Sequence, residues 1–285
     1  MERKTHLKIT ILQAGYCTCP EHLAIRGGRW REIPFPAMFA LFEHPHFGPM
    51  LFDTGYSYRF FEETRSFPNL MYRWLTPVTL LEEQLAVNQL AAFHLDPSDI
   101  THIFISHFHA DHIAALADFD KARYVYLPQA YDAVRTRRGI GALSQAFLSG
   151  LIPDDFEARS VPVDIDRPYA LPPEYAPFTK GYDLLGDSSL LAVELPGHAA
   201  GQMGIFARCT GDGRDQAFFF VADAAWLGRS IKDDLPPHAL ADLFFTDPTA
   251  YKITLSNLHK IQVAQPDLKI IPSHCAETLA TIATR

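Results

Sequence analysis

The sequence predicts an α/β layered domain. Apolar stretches of strand length recur from one end of the chain to the other. Helical spacings are interleaved with them, and no repeat or low-complexity segment breaks the order. The 285 residues have the length of one large domain or two small ones, and residues 1–285 are read as one. Hydrophobic residues make up 48% and charged residues 20%, which excludes a disordered or fibrous chain. No apolar run reaches the roughly 18 residues of a membrane span, so no membrane partner is expected. The net charge is −8 and the longest basic block is Arg135-Thr136-Arg137-Arg138, which argues against nucleic acid as a partner.

The elements follow in order. Leu7 to Cys17 alternates loosely and reads as a strand. Pro36 to His44 and Met50 to Phe52 read as two more, joined by a turn through Pro45 and Gly48. Thr79 to Phe93 places Leu81, Leu85, Val87 and Leu90 at helical spacing and reads as a helix. Ile100 to Ile105 is a short apolar strand. Ile113 to Phe119 begins a helix, Tyr124 to Leu127 is a strand, and Pro128 to Arg137 is a helix with proline at its first position. Residues 138–185 are irregular and hold Pro153, Pro162, Pro168, Pro172, Pro173 and Pro177, so they are read as an inserted cap over the core. Strands return at Ser189 to Leu195, Gly204 to Arg208 and Ala217 to Val221. Thr249 to Ala264 is a helix, Leu268 to Ile271 the last strand, and Ala276 to Ile282 a terminal helix.

The chemistry concentrates in His107-Phe108-His109-Ala110-Asp111-His112, directly after the strand ending at Ile105. On extended backbone, residues two apart point the same way, so His107 and His109 can face one metal. Asp111 and His112 lie just past them and can reach a second. Imidazole and carboxylate without thiolate suit zinc or a related cation. Other clusters are weaker. Cys17-Thr18-Cys19 lacks a second cysteine pair and reads as two small residues at a strand end. Cys275 reads as a structural thiol. Four cysteines are too few for a disulfide scaffold, so a reduced, cytoplasmic setting is expected.

The His107–His112 stretch resembles the HxHxDH signature of the metallo-β-lactamase-fold superfamily. Pro196-Gly197-His198, Val221-Ala222-Asp223 and Pro272-Ser273-His274 resemble its later motifs, and Phe52-Asp53-Thr54-Gly55 its early aspartate motif. The resemblance covers roughly Leu7 to His274 and implies a four-layer αβ/βα sandwich. It implies two Zn²⁺ ions: His107, His109 and His198 on one, Asp111, His112 and His274 on the other, and Asp223 bridging. Asp111 and Asp223 would then be the catalytic carboxylates, and Asp53 would orient a ligand. The other role open to Asp53 is a turn carboxylate capping local amides.

The resemblance further implies hydrolysis of a small carboxylic ester or lactone by a metal-held hydroxide. The acyl homoserine lactones, and with them quorum quenching, are the most concrete candidate. Gln202 stands where hydrolases of this fold often carry histidine. Trp226 stands where lactone-hydrolysing members often carry tyrosine. Trp226 and Phe108 are the expected substrate contacts, and the many aromatics near loop ends favour an apolar or acyl-bearing small molecule. A thioesterase resembling hydroxyacylglutathione hydrolase and a metal-bound regulatory protein with little turnover are the alternatives. A homodimer is a further expectation.

Overall fold

Phe35 to Phe42 is apolar at every second position on both phases, the pattern of a strand covered on two faces. In the computed structural model, which describes residues 7–211 and 214–283, that strand sits in the middle of a sheet between two cores. Ala37, Phe39 and Leu41 pack into one core and Met38, Ala40 and Phe42 into the other.

Among the described residues thirteen strands run in chain order: β1 Lys8–Pro20, β2 Glu32–His44, β3 Gly48–Phe52, β4 Val78–Thr79, β5 His102–Phe104, β6 Arg123–Tyr126, β7 Ser160–Pro162, β8 Tyr169–Ala170, β9 Lys180–Asp183, β10 Leu190–Glu194, β11 Met203–Gly211, β12 Arg214–Ala222 and β13 Lys269–Pro272. They form a seven-stranded sheet of order β4-β1-β2-β3-β5-β6-β7 and a six-stranded sheet of order β13-β12-β11-β10-β9-β8. Between the sheets lie Met38, Phe42, Met50, Phe52 and Phe104 from the first, and Leu190, Met203, Ile205, Phe220 and Ile271 from the second. Outside the first sheet, Phe60, Leu90, Ile113, Leu116 and Phe147 complete another core. Outside the second, the helix Pro248–Ala264 buries Tyr251, Leu255, Leu258 and Ile261. Helix, sheet, sheet, helix is the four-layer sandwich.

The expected helix over Thr79 to Phe93 does not form as one element. Val78 and Thr79 pair with Cys17 and Tyr16 of β1 instead. Tight turns at Glu82–Gln84 and Ala91–Phe93 flank a helix of only Ala86–Leu90, because Leu85 is extended (φ −56°, ψ 133°). The leucine spacing is real, but edge pairing with β1 outweighs it. Ile113 to Phe119 likewise divides into a helix at Ala110–Ile113 and a tight turn at Leu116–Asp118. Residues 138–185 are woven into the layers rather than laid over them. Ala142, Phe147, Leu148, Leu151 and Phe156 fill the first outer core, β7 extends the first sheet, and β8 and β9 close the edge of the second.

Candidate metal centre

Strand ends converge on one point. β5 leads into Ser106 to His109 and then the helix Ala110–Ile113, which carries Asp111 and His112. β10 ends before Gly197 and His198, β12 before Asp223, and β13 before His274. Two crossings tie these ends together: Met203 N–H donates to the Ser106 carbonyl, and Ser273 N–H to the Ala222 carbonyl. Backbone strain accumulates here, as it does at many functional sites. Asp53 (φ 60°) and Ala222 (φ 48°) are both left-handed without being glycine. Gly197 has φ 131°, and a Cβ there would lie 2.2 Å from the Tyr251 nitrogen, so only glycine lets the chain pass the long helix and present His198.

Seven side chains gather in two groups, His107, His109, His198 and Asp223 in one and Asp111, His112 and His274 in the other. Within each group one candidate ligand atom per residue lies within 4.8 Å of the others. Asp223 joins the groups: its Oδ2 is 3.2 Å from His198 Nε2 and 3.0 Å from His274 Nε2, and its Oδ1 is 3.3 Å from His112 Nε2. Asp111 Oδ2 is 3.3 Å from His274 Nε2 and 3.6 Å from His112 Nε2.

The outer hydrogen bonds decide which ring nitrogens face inward. Asp53 is fully buried and accepts from Ser106 N–H (2.8 Å), Ser106 Oγ (2.8 Å) and His112 Nδ1 (2.7 Å). A carboxylate only accepts, so His112 donates a proton from Nδ1, which leaves Nε2 as the nitrogen that faces inward. Ser106 gives its hydroxyl proton to Asp53 and so accepts from His107 Nδ1 at 3.0 Å. His274 Nδ1 donates to the Pro36 carbonyl at 2.9 Å. His198 Nε2 faces His109 Nδ1 at 3.0 Å, two nitrogens with no carboxylate between them.

This donor set fits a pair of divalent cations. His107 Nε2, His112 Nε2 and Asp223 Oδ1 are buried without any hydrogen-bond partner, a costly arrangement unless a cation completes it. Three buried carboxylates, Asp53, Asp111 and Asp223, find only histidines as ion-pair partners among the described residues. Burial, reinforced by neighbouring imidazoles, pushes the pKa of His107 well down, and burial does the same to His198. Burial lowers His109 to about 4. These rings are therefore neutral, the form that ligates. Burial also opposes charge on His112, but Asp111, Asp53 and Asp223 overcome it and hold that ring's pKa well above its usual value. Asp223 is held well below the usual carboxylate range: burial works against it, and His274, His112 and His198 prevail.

Aromatic rings wall the centre. Phe35 stacks on His274 at 5.3 Å and 9°, and Trp226 meets His198 edge-on at 6.0 Å. Phe245 contacts both His198 (5.6 Å) and Trp226 (5.3 Å). Phe108 is not part of this wall, contrary to the sequence expectation. It is buried at 2% exposure among Tyr126, Tyr131 and Phe156 in the first outer core. The period-two alternation that turns His107 and His109 inward turns Phe108 outward. Sequence reasoning missed Ser106, Phe35 and the Pro36 carbonyl. Ser106 had a signal, a hydroxyl adjoining the motif; the other two come from β2, 238 residues from His274 in the case of Pro36. Cys17 is buried and its thiol is pushed up to about 12 by burial and by Asp111, so it is no thiolate ligand. Cys275 Sγ accepts from Gly228 N–H at 3.3 Å, a structural contact.

The model of the metallo-β-lactamase superfamily matches residues 48–274, more than three quarters of the chain. The chain belongs to that superfamily. Among curated relatives it is 26% identical over 282 residues to an N-acyl homoserine lactonase AttM of Azorhizobium caulinodans, covering 95% of this chain and 99% of the relative. It is 26% identical over 253 residues to the AttM of Agrobacterium fabrum, covering 87% and 88%. Among solved structures, an N-acyl homoserine lactone hydrolase with its product at the catalytic metal centre aligns at TM-score 0.70 and 17% identity, covering 99% and 97%. AidC, a dizinc quorum-quenching lactonase, aligns at TM-score 0.64 and 16% identity, covering 97% and 90%. In fold, the chain is similar to these structures over 97–99% of its length. No helix among the described residues is long and apolar enough to cross a membrane.

Proposed function

We propose that this protein hydrolyses a carboxylic ester at a dinuclear zinc centre, with N-acyl homoserine lactones as its substrate class. The carrying observation is the set of seven ligand side chains in two groups with buried, unpartnered atoms turned inward. The lactonases among its relatives supply the substrate class. His107, His109, His198 and Asp223 would hold one ion and Asp111, His112 and His274 the other, with Asp223 reaching both.

Bound there, two divalent ions would supply a water acidified toward neutral pH and polarisation of the ester carbonyl. The chain's own groups do the rest. Asp53 and Ser106 hold His112 and His107 in one tautomer. The Asp111 carboxylate oxygen not given to the ion would carry the proton from the attacking water to the departing alkoxide oxygen. Phe35, Trp226 and Phe245 exclude water and receive the acyl part, with Trp226 against the substrate. No serine or cysteine nucleophile is required.

The test is proton release with short- and long-chain acyl homoserine lactones, beside an S-acyl glutathione thioester, with and without chelator. Chelator-sensitive lactone opening that exceeds thioester hydrolysis is expected. Thioester turnover without lactone turnover would make the protein a thioesterase. No turnover of either, with two metals bound, would make it a binding or regulatory protein.

A further inference from the structure

Two neighbouring segments expose large apolar side chains. In the loop 25–31 Trp30 is 88% exposed; in the turn Ala239–Phe244, Leu240 is 57%, Leu243 82% and Phe244 66% exposed. Both segments are fastened to the short helix Glu21–Ala24. Trp30 stacks on His22 of that helix, ring centres 3.9 Å apart at 26°. The His238 N–H donates to the Leu23 carbonyl at 3.1 Å, and the Arg26 N–H to the Pro236 carbonyl at 3.0 Å. A contiguous apolar patch on the outside of a globular protein marks an interaction surface.

Its charges identify the partner. Each segment has one carboxylate, and each is already taken. Glu21 holds Arg31 at 2.6 Å and Arg229 at 3.3 Å, and Asp242 holds Lys252 at 2.9 Å. Arg26 and Arg29 are exposed and have no ion-pair partner among the described residues. Two free guanidiniums thus flank an exposed indole and three exposed apolar side chains. That combination fits a lipid surface: the rings and leucines enter the boundary between headgroups and acyl chains, and the arginines meet anionic headgroups. A second copy fits less well, since two-fold pairing through this face would bring both copies' arginines onto one interface.

We propose that this face docks on a bilayer surface carrying anionic headgroups. The attachment is peripheral and needs no spanning helix; the absence of an apolar run of spanning length bears only on a transmembrane segment. The face adjoins the metal centre. Phe244 precedes Phe245, the ring that contacts His198 and Trp226. A docked molecule would therefore hold the aromatic wall of the centre close to the lipid.

The experiment is flotation of the full chain with vesicles of phosphatidylcholine alone and of an equal mixture of phosphatidylcholine and phosphatidylglycerol. The wild type is expected to float with the mixed vesicles, far less with the neutral ones, and to be released by raised salt. Trp30→Ser and Leu243→Ser are each expected to abolish most flotation. Arg26→Gln and Arg29→Gln are each expected to weaken it about fivefold. All four side chains are exposed, so unchanged thermal midpoints are expected. A wild type that floats with neither vesicle would overturn the proposal, as would variants that float as well as the wild type. A wild-type dimer that Leu243→Ser converts to monomer, without flotation, would overturn it and give the face to a second copy. The readout is binding alone, so it stands whether or not the protein opens lactones.

Discussion

Asp53 makes the sharpest test of how the centre is held. Its two oxygens accept three hydrogen bonds at 2.7–2.8 Å, and one of them fixes the His112 tautomer. Asp53→Asn keeps the shape and removes one acceptor. With the amide oxygen on Ser106 N–H, the NH₂ group points at His112 Nδ1–H, donor against donor. His112 relieves the clash by moving its proton to Nε2, which takes that lone pair away from the centre. Either outcome loosens one ligand. Losing such an outer partner costs 10–100-fold in metal affinity, or about 1.4–2.7 kcal/mol. The assay is zinc titration against a chelating competitor, read as affinity and as ions bound per chain. The expected result is one tight and one weakened site. Two sites of wild-type affinity would refute the reasoning and return Asp53 to a turn carboxylate.

Other outcomes follow from the same geometry. Gly197→Ala combines left-handed strain with a clash against Tyr251 backbone, so a stability loss of roughly 2–6 kcal/mol is expected in denaturant unfolding. Phe108→Ala should cost about 3–5 kcal/mol as a core cavity. Phe108→Leu should leave KM for substrate unchanged, because the ring packs among Tyr126, Tyr131 and Phe156 and not at the centre. Chelator removal of bound metal should lower the thermal midpoint, by an amount equivalent to about 2.7 kcal/mol at a hundredfold excess of zinc over its dissociation constant. Trp226→Ala opens the wall beside His198 and Phe35, and an increase in KM that grows with acyl length is expected.

What the sequence revealed depended on how local the determining contacts are. The pairing of His107 with His109 and the outward turn of Phe108 both follow from one local rule, the period-two alternation of extended backbone. Strands covered on both faces, such as β2, are legible because Phe35 to Phe42 is apolar throughout. The Thr79 to Phe93 stretch is not, because Val78 and Thr79 take their conformation from β1, about 60 residues earlier in the chain. The 138–185 segment reads as a cap from its crowded prolines, and its place in the layers is hidden because its strands are two to four residues long and gain their order from the edges of two sheets. The ligand types at the strand ends are readable one by one. Their hydrogen-bonded supports are not: Phe35 and Pro36 reach His274 only through the pairing of distant strands.

The central claim is that two metal ions act together in one hydrolytic centre. The direct measurement is to strip the protein of metal and add back zinc in fractions of an equivalent, following lactone hydrolysis at each step. Activity that stays low through the first equivalent, rises through the second and levels at two is the expected result. Full activity at one equivalent, or none at two, would contradict a dinuclear hydrolase built on these seven side chains.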